Sequence, residues 1–356
     1  MKNKITLTLP AILTLFTSIV HGSSTNKQLS TLECVNFRNP AYCQDDVQIS
    51  GELLYWKTNV QIPYALTHES SVSPNIDTNQ KIQNVSFDYN PGFRIGAGYK
   101  FSENQWDTNV IWTYFQETDH SSVFRTDTID VHTLWDVGTA SGILSATSAT
   151  AGFTQNFQTL DAVLGKTFFP NKPTILRYFI GIKGALIKEK ENIFYNGTSN
   201  GDGLPLSSTV TLTNDFKGIG LTNGLNATWN IAEGWSLYGK GEFAALWGNF
   251  DLEQNYFFQG TTTDFPVPFT INNQNTIYAL KMNLVTAIGV AWKYRFNNAA
   301  LLTLSFGYEF NYWPNQVLLA NFFENDQNLN GGLALLFQQP SDVGIHGFVL
   351  KAGLDF

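Results

Sequence analysis

The sequence predicts an all-β fold, a transmembrane antiparallel up-and-down β-barrel of about ten strands, with room for twelve or more. Three observations predict it. Apolar and polar residues alternate with period two along most of the chain, the signature of strands that bury one face. The connections between these segments alternate between short and long, as in outer-membrane barrels. The chain also ends inside a strand pattern, "GIHGFVLKAGLDF", with Phe356 as its last residue. A closed barrel explains such an ending, because its last strand must pair with its first and leaves no free edge.

Taken in order, the first 22 residues read as a signal peptide. Lys2 and Lys4 precede an apolar run from Ile5 to Val20, and small residues flank a cleavage point near Gly22. Residues 23–49 form an N-terminal periplasmic segment carrying the only two cysteines, Cys34 and Cys43. One disulfide between them is expected in an exported protein, with inter-chain links or free thiols as the alternatives. Residues 50–356 are assigned to the barrel. Its first strand is Gly51–Thr58. In "FRIGAGYKF", Phe93, Ile95, Ala97, Tyr99 and Phe101 oppose Arg94, Gly96, Gly98 and Lys100. In "QWDTNVIWTY", Trp106, Val110, Trp112 and Tyr114 oppose Asp107 and Asn109. Phe157–Phe169, Ile175–Lys188, Phe216–Ile231, Trp235–Phe250, Tyr278–Phe296, "LLTLSFGYEFNY" and the terminal segment complete the set.

Short turns fall at Ser102–Asn104, Pro170–Pro173, Ala232–Gly234 and Asn297–Asn298. Long polar loops are expected at Asn59–Asn90, Gln116–Thr154, Glu189–Asn214, Asp251–Asn275 and Pro314–Val343. Aromatics on the apolar parity gather towards both rims. Trp235 and Trp247 lie twelve residues apart on one strand, roughly 28 Å of height at ~3.3 Å per residue and a tilt of about 45°. That matches a lipid-facing band of ~25 Å between two aromatic girdles, with Trp292 and Phe356 in the lower one. Phe356 also fits the terminal-aromatic signal of the outer-membrane insertion machinery. Only 14% of residues are charged, against 14% aromatic. Soluble proteins carry nearer ~25% charge, so lipid is expected to wet part of the surface. The net charge of −8 argues against nucleic acid as a partner.

The opposite parity predicts the lumen lining. Its basic members are Arg94, Lys100, Arg177, Lys183, Lys240, Lys281, Lys293, Arg295 and Lys351; its acids are Glu52, Asp107, Asp161, Glu242, Glu309 and Asp355. Nine cations against six carboxylates lean the lumen positive, beneath loops that hold Glu117, Asp119, Asp127, Asp130 and Asp136. The bland alternative is that these charges pair across a filled interior, as in small barrels. "TASGILSATSATAG" (Thr139–Gly152) is a candidate constriction loop. "DQNLNGG" has the start of a calcium loop but Phe337 where a bidentate Glu is needed. His68, His120 and His132 fall in loops with no nucleophile motif, and His346 falls on the apolar parity, so neither an enzyme nor a cofactor or metal site is expected.

Several segments together resemble the Legionella-type major outer membrane proteins, a family of pore-forming barrels also found among chlamydia-like bacteria. They are "GELLYWK", "GFRIGAGYKFSENQWDTNVIWTYF", "NFQTLDAVLGKTFFPNKPTILRYFIGIKGALI", "GWSLYGKGEFAALWGNF", "GYEFNYW" and "VGIHGFVLKAGLDF". Here Tyr312 and Trp313 run directly into Pro314, which is expected to alter how that strand enters its loop. The resemblance implies a porin or structural envelope role in the outer membrane of a Gram-negative bacterium, and no catalytic residues. With two cysteines, the chain is not expected to build the disulfide network of cysteine-rich chlamydial porins. The expected function is passive diffusion of small hydrophilic solutes; the alternative is a structural protein or adhesin with a closed lumen. Homo-oligomerisation is left open by the sequence.

Overall fold

The computed structural model describes residues 46–69, 79–101, 105–135, 146–198, 205–260, 268–296, 300–325 and 333–356. The signal peptide, Cys34, Cys43, Thr139–Ser145 of the small-residue loop, Asp136 and the "DQNLNGG" segment lie outside the described residues. The strands are β1 (Asp46–Asn59), β2 (Pro63–Glu69), β3 (Gln80–Asn84), β4 (Asn90–Phe101), β5 (Trp106–Phe124), β6 (Ile129–Thr133), β7 (Ala146–Asn171), β8 (Thr174–Thr198), β9 (Pro205–Ala232), β10 (Trp235–Gln259), β11 (Phe269–Phe296), β12 (Ala300–Asn325) and β13 (Leu333–Asp355).

Antiparallel pairing runs β7-β5-β4-β1-β13-β12-β11-β10-β9-β8, and β8 pairs back to β7. The ring therefore closes with ten strands, matching the ten segments expected from the alternation. Closure between first and last strands extends to the final residue. Val47 N–H donates to Phe356 O (2.9 Å) and Phe356 N–H donates to Val47 O (3.1 Å). At the β9–β10 turn Gly234 has φ +76°, a left-handed conformation that glycine adopts without a Cβ penalty. At the β7–β8 turn the Asn171 side-chain Oδ1 accepts from Thr174 N–H (3.0 Å).

The connections correct the loop assignments. Much of each expected loop is strand: β8, β9, β10, β11, β12 and β13 continue well past the outer girdle. The Asn59–Asn90 segment holds β2 and β3, and the Gln116–Thr154 segment holds β6 as well as the ends of β5 and β7. β2, β3 and β6 form a small flap, joined to the ring where Val131 of β6 pairs with Ala146 of β7. The physical reason is visible in β9. Within the lipid band Leu221 and Ile219 face outward; further along, Lys217, Asp215, Thr213 and Thr211 take the outward positions while Phe216, Leu212 and Val210 turn into the interior. The polarity of the two faces inverts once the strand leaves lipid for water. Pro314 does disturb its strand: pairing of β12 with β13 breaks between Trp313 and Val317, and Asn315 takes φ 51°.

Deleting Phe356 removes both closing hydrogen bonds and one outward aromatic. Bonds of this kind contribute about 1 kcal/mol each. A clear drop in the fraction that folds into lipid vesicles, read as the heat-modifiable band on a gel, is expected; equal yields would show that the closure does not depend on this residue.

Candidate functional site

The candidate site is the interior of the ring, which is layered from the periplasmic turns outward. The lowest layer is ionic, because the inward parity of the lipid-spanning segments carries the predicted charges. Arg94 on β4 reaches Glu52 (2.6 Å) and Glu309 (2.7 Å). Lys351 meets the other Glu52 oxygen (3.1 Å). Lys183 bridges Asp161 (3.2 Å) and Glu242 (2.6 Å), and Lys240 joins Glu242 (2.7 Å). Lys100 pairs with Asp355 (3.2 Å), and Arg177 with Asp107. Several of these pairs bridge over an intervening strand: Arg94 and Glu309 are separated by β1 and β13. Access to water is graded. The Lys183 side chain is 4% exposed, whereas that of Lys351 is 40% exposed.

Three predicted lining cations lack an ion-pair partner among the described residues. Lys293 lies on the inner face of β11 and Arg295 at its exposed end. Lys281 is higher and buried; its Nζ donates to Asn315 O and sits 4.6 Å from the Phe250 ring centroid. The girdle residues lie where their parity puts them. Trp235 and Trp247 are 51% and 60% exposed on the outer face, Phe356 is exposed, and Trp292 stacks on Tyr294 (5.7 Å).

Above the ionic layer the interior is apolar and aromatic, which the sequence reading missed. Trp56, Phe115, Phe157, Phe216, Phe250 and Trp313 are all fully buried. Trp313 on β12 meets Phe157 on β7 (6.0 Å between centroids) and Phe216 on β9 (6.4 Å). β7 and β12 are five strands apart in either direction around the ring. The Trp313–Phe157 contact therefore crosses the full width of the lumen. Arg94 lies 5.4 Å from the Trp56 ring and joins the two layers by a cation–π contact. The signal was present: these aromatics sit on the lumen parity, out of step with the girdle aromatics.

A polar belt follows. Thr58 N–H donates to Glu117 Oε2 (3.1 Å) and Thr58 Oγ1 to Gln155 Oε1 (3.0 Å). Gln155 Nε2 donates to Glu189 Oε1 (2.8 Å), and Asn214 Nδ2 to Glu189 Oε2 (2.5 Å) and Gln316 O (3.1 Å). This belt lies beyond the lipid. On β8 the outward residues after Leu186 are Lys188, Lys190 and Asn192, and on β5 those after Tyr114 are Gln116, Thr118 and His120. Glu117, expected in a loop, is thus an interior strand residue. Burial and the neighbouring Asp119 push its carboxyl up to about 8, against the hydrogen bond from Thr58. Burial holds Glu189 at about 7, despite its donors Gln155 and Asn214. The interior accordingly carries more acid at its outer end than the sequence assigned to it, and the positive excess is confined to the periplasmic end. Among the other singled-out residues, His68 and His132 face each other across β2 and β6 (6.3 Å), and His346 Nδ1 is hydrogen-bonded to Tyr308 Oη (2.5 Å).

Among solved structures, the chain is similar to the outer membrane protease OmpT from Escherichia coli, at 9% identity over 87% of this chain and 96% of that chain, with TM-score 0.42. It is also similar to the P. putida toluene transporter TodX (9%, 90% and 93%, TM-score 0.27) and to a Pseudomonas aeruginosa FadL homologue (8%, 87% and 90%, TM-score 0.23). At these values neither proteolysis nor toluene transport passes to this chain. No curated protein matches it. The family model of the Legionella pneumophila major outer membrane protein precursor matches residues 42–356, the whole described barrel. The chain belongs to the Legionella pneumophila major outer membrane protein family and is a β-barrel of the bacterial outer membrane.

Proposed function

We propose that the barrel is a narrow, non-catalytic channel for small hydrophilic solutes and ions that rests closed. The observation that carries this reading is the layered interior. A charged vestibule, most open to water at Lys351, leads from the periplasmic end to a dry aromatic constriction, and hydrophobic constrictions gate channels by excluding water. The paired charges line the path, and Lys293 and Arg295, without an ion-pair partner among the described residues, give the vestibule its sign. A structural role with a permanently closed lumen is the second reading, favoured by the same Trp313–Phe157 contact across the ring.

Single-channel recording of the refolded protein in a planar bilayer tests it. Brief openings with an anion-leaning reversal potential in a KCl gradient are expected. Glu189 is protonated below about 7 and ionised above it, so the anion preference is expected to weaken as pH rises through ~7. A cation-leaning potential at acid pH would sink the assignment of the positive vestibule. A folded barrel that never conducts, even with the aromatic layer cut back, would establish the structural role.

A further inference from the structure

A cavity of about 20 Å³ lies outward of the aromatic layer, against β7, β8, β9, β10 and β12. That is room for roughly one water-sized group. Leu212, Leu252 and Val317 supply apolar wall, Glu189, Glu191 and Asn214 supply oxygens, and Thr213, Glu253 and Gln254 complete the polar lining. Glu191 is 1% exposed, and neither of its carboxylate oxygens has a hydrogen-bond partner among the described residues. Asn214 is 3% exposed; its Nδ2 is committed to Glu189 and Gln316 O, while its Oδ1 has no partner. Both Glu191 oxygens and Asn214 Oδ1 thus bring unused acceptor capacity to one small space. Lys281, the ammonium whose charge acts on Glu189, is held elsewhere by Asn315 O and the Phe250 ring.

Unused acceptors favour a cation. A space with room for roughly one water-sized group has no place for the waters that would complete a calcium or magnesium shell. We propose that this cavity is a binding site for one water-sized monocation, potassium or ammonium, held by Glu191 with Asn214 Oδ1 and Glu189. The site is independent of whether the barrel conducts.

The test is the apparent thermal midpoint of the detergent-folded full chain, scanned at fixed rate and about pH 8, where Glu189 is ionised. Potassium chloride and ammonium chloride are compared with choline chloride at equal ionic strength, since a ligand bound only by the folded state raises the midpoint. The expected result is a rise of ~2 °C or more in either small cation, which disappears in Glu191→Gln. The comparison on the unaltered protein stands even if that variant does not fold. Equal midpoints in all three salts would overturn the proposal, and so would a cation effect that persists undiminished in Glu191→Gln.

Discussion

Trp313→Ala is expected to lengthen the open time of the channel at least tenfold. Trp313 is fully buried and joins opposite walls of the ring through Phe157 and Phe216. Truncating an aromatic in a packed interior costs about 3–5 kcal/mol of closed-state packing. A bias of only ~1.4 kcal/mol shifts an open–closed equilibrium tenfold. Phe157→Ala should act in the same direction, because it removes the other half of the same contact. Trp313→Phe should stay close to the unaltered protein. Planar-bilayer recordings compare the three. If the alanine variants fold and their openings match those of the parent, the aromatic layer is not the gate.

The second large effect is on stability. Arg94→Met is expected to destabilise the barrel by about 3–5 kcal/mol, since it leaves the nearly buried carboxylates of Glu52 and Glu309 without their shared cation. Lys351 still reaches Glu52, so Glu309 bears most of the loss. Adding Glu309→Gln to Arg94→Met should recover part of it, because an amide costs less to bury unpaired than a carboxylate. Urea unfolding of the detergent-folded protein measures the effect. A variant as stable as the parent would mean that water, not Arg94, compensates these carboxylates.

How far the sequence revealed this arrangement differs by layer. The ten ring strands were legible because lipid demands an uninterrupted apolar outer face, and period two makes that demand readable. The lumen charges were legible by the same parity, but their partners were not. Whether Arg94 meets Glu309 depends on ring curvature and on which strands lie between, and no local pattern records that. The outer continuation of the strands was read as loop because the rule itself changes there. "SSTVTLTND" has Thr and Ser outward and Val210 and Leu212 inward, a water-facing strand with a dry interior. Asn and Thr richness masked it. Trp56, Phe157 and Trp313 could have been found as aromatics on the wrong parity. Reading them so required the inversion to be recognised first.

The central claim is that a dry aromatic layer divides the lumen, and indole proton exchange tests it most directly. Trp56 and Trp313 are fully buried, and their Nε1–H groups have no hydrogen-bond partner among the described residues. Nitrogen-resolved NMR of the detergent-folded barrel, with each indole assigned by a Trp→Phe variant, reports magnetisation transfer from water to each indole. No transfer to Trp56 or Trp313 is expected. Transfer to both at the rate of a solvent-facing indole would show a water-filled lumen and contradict the dry layer.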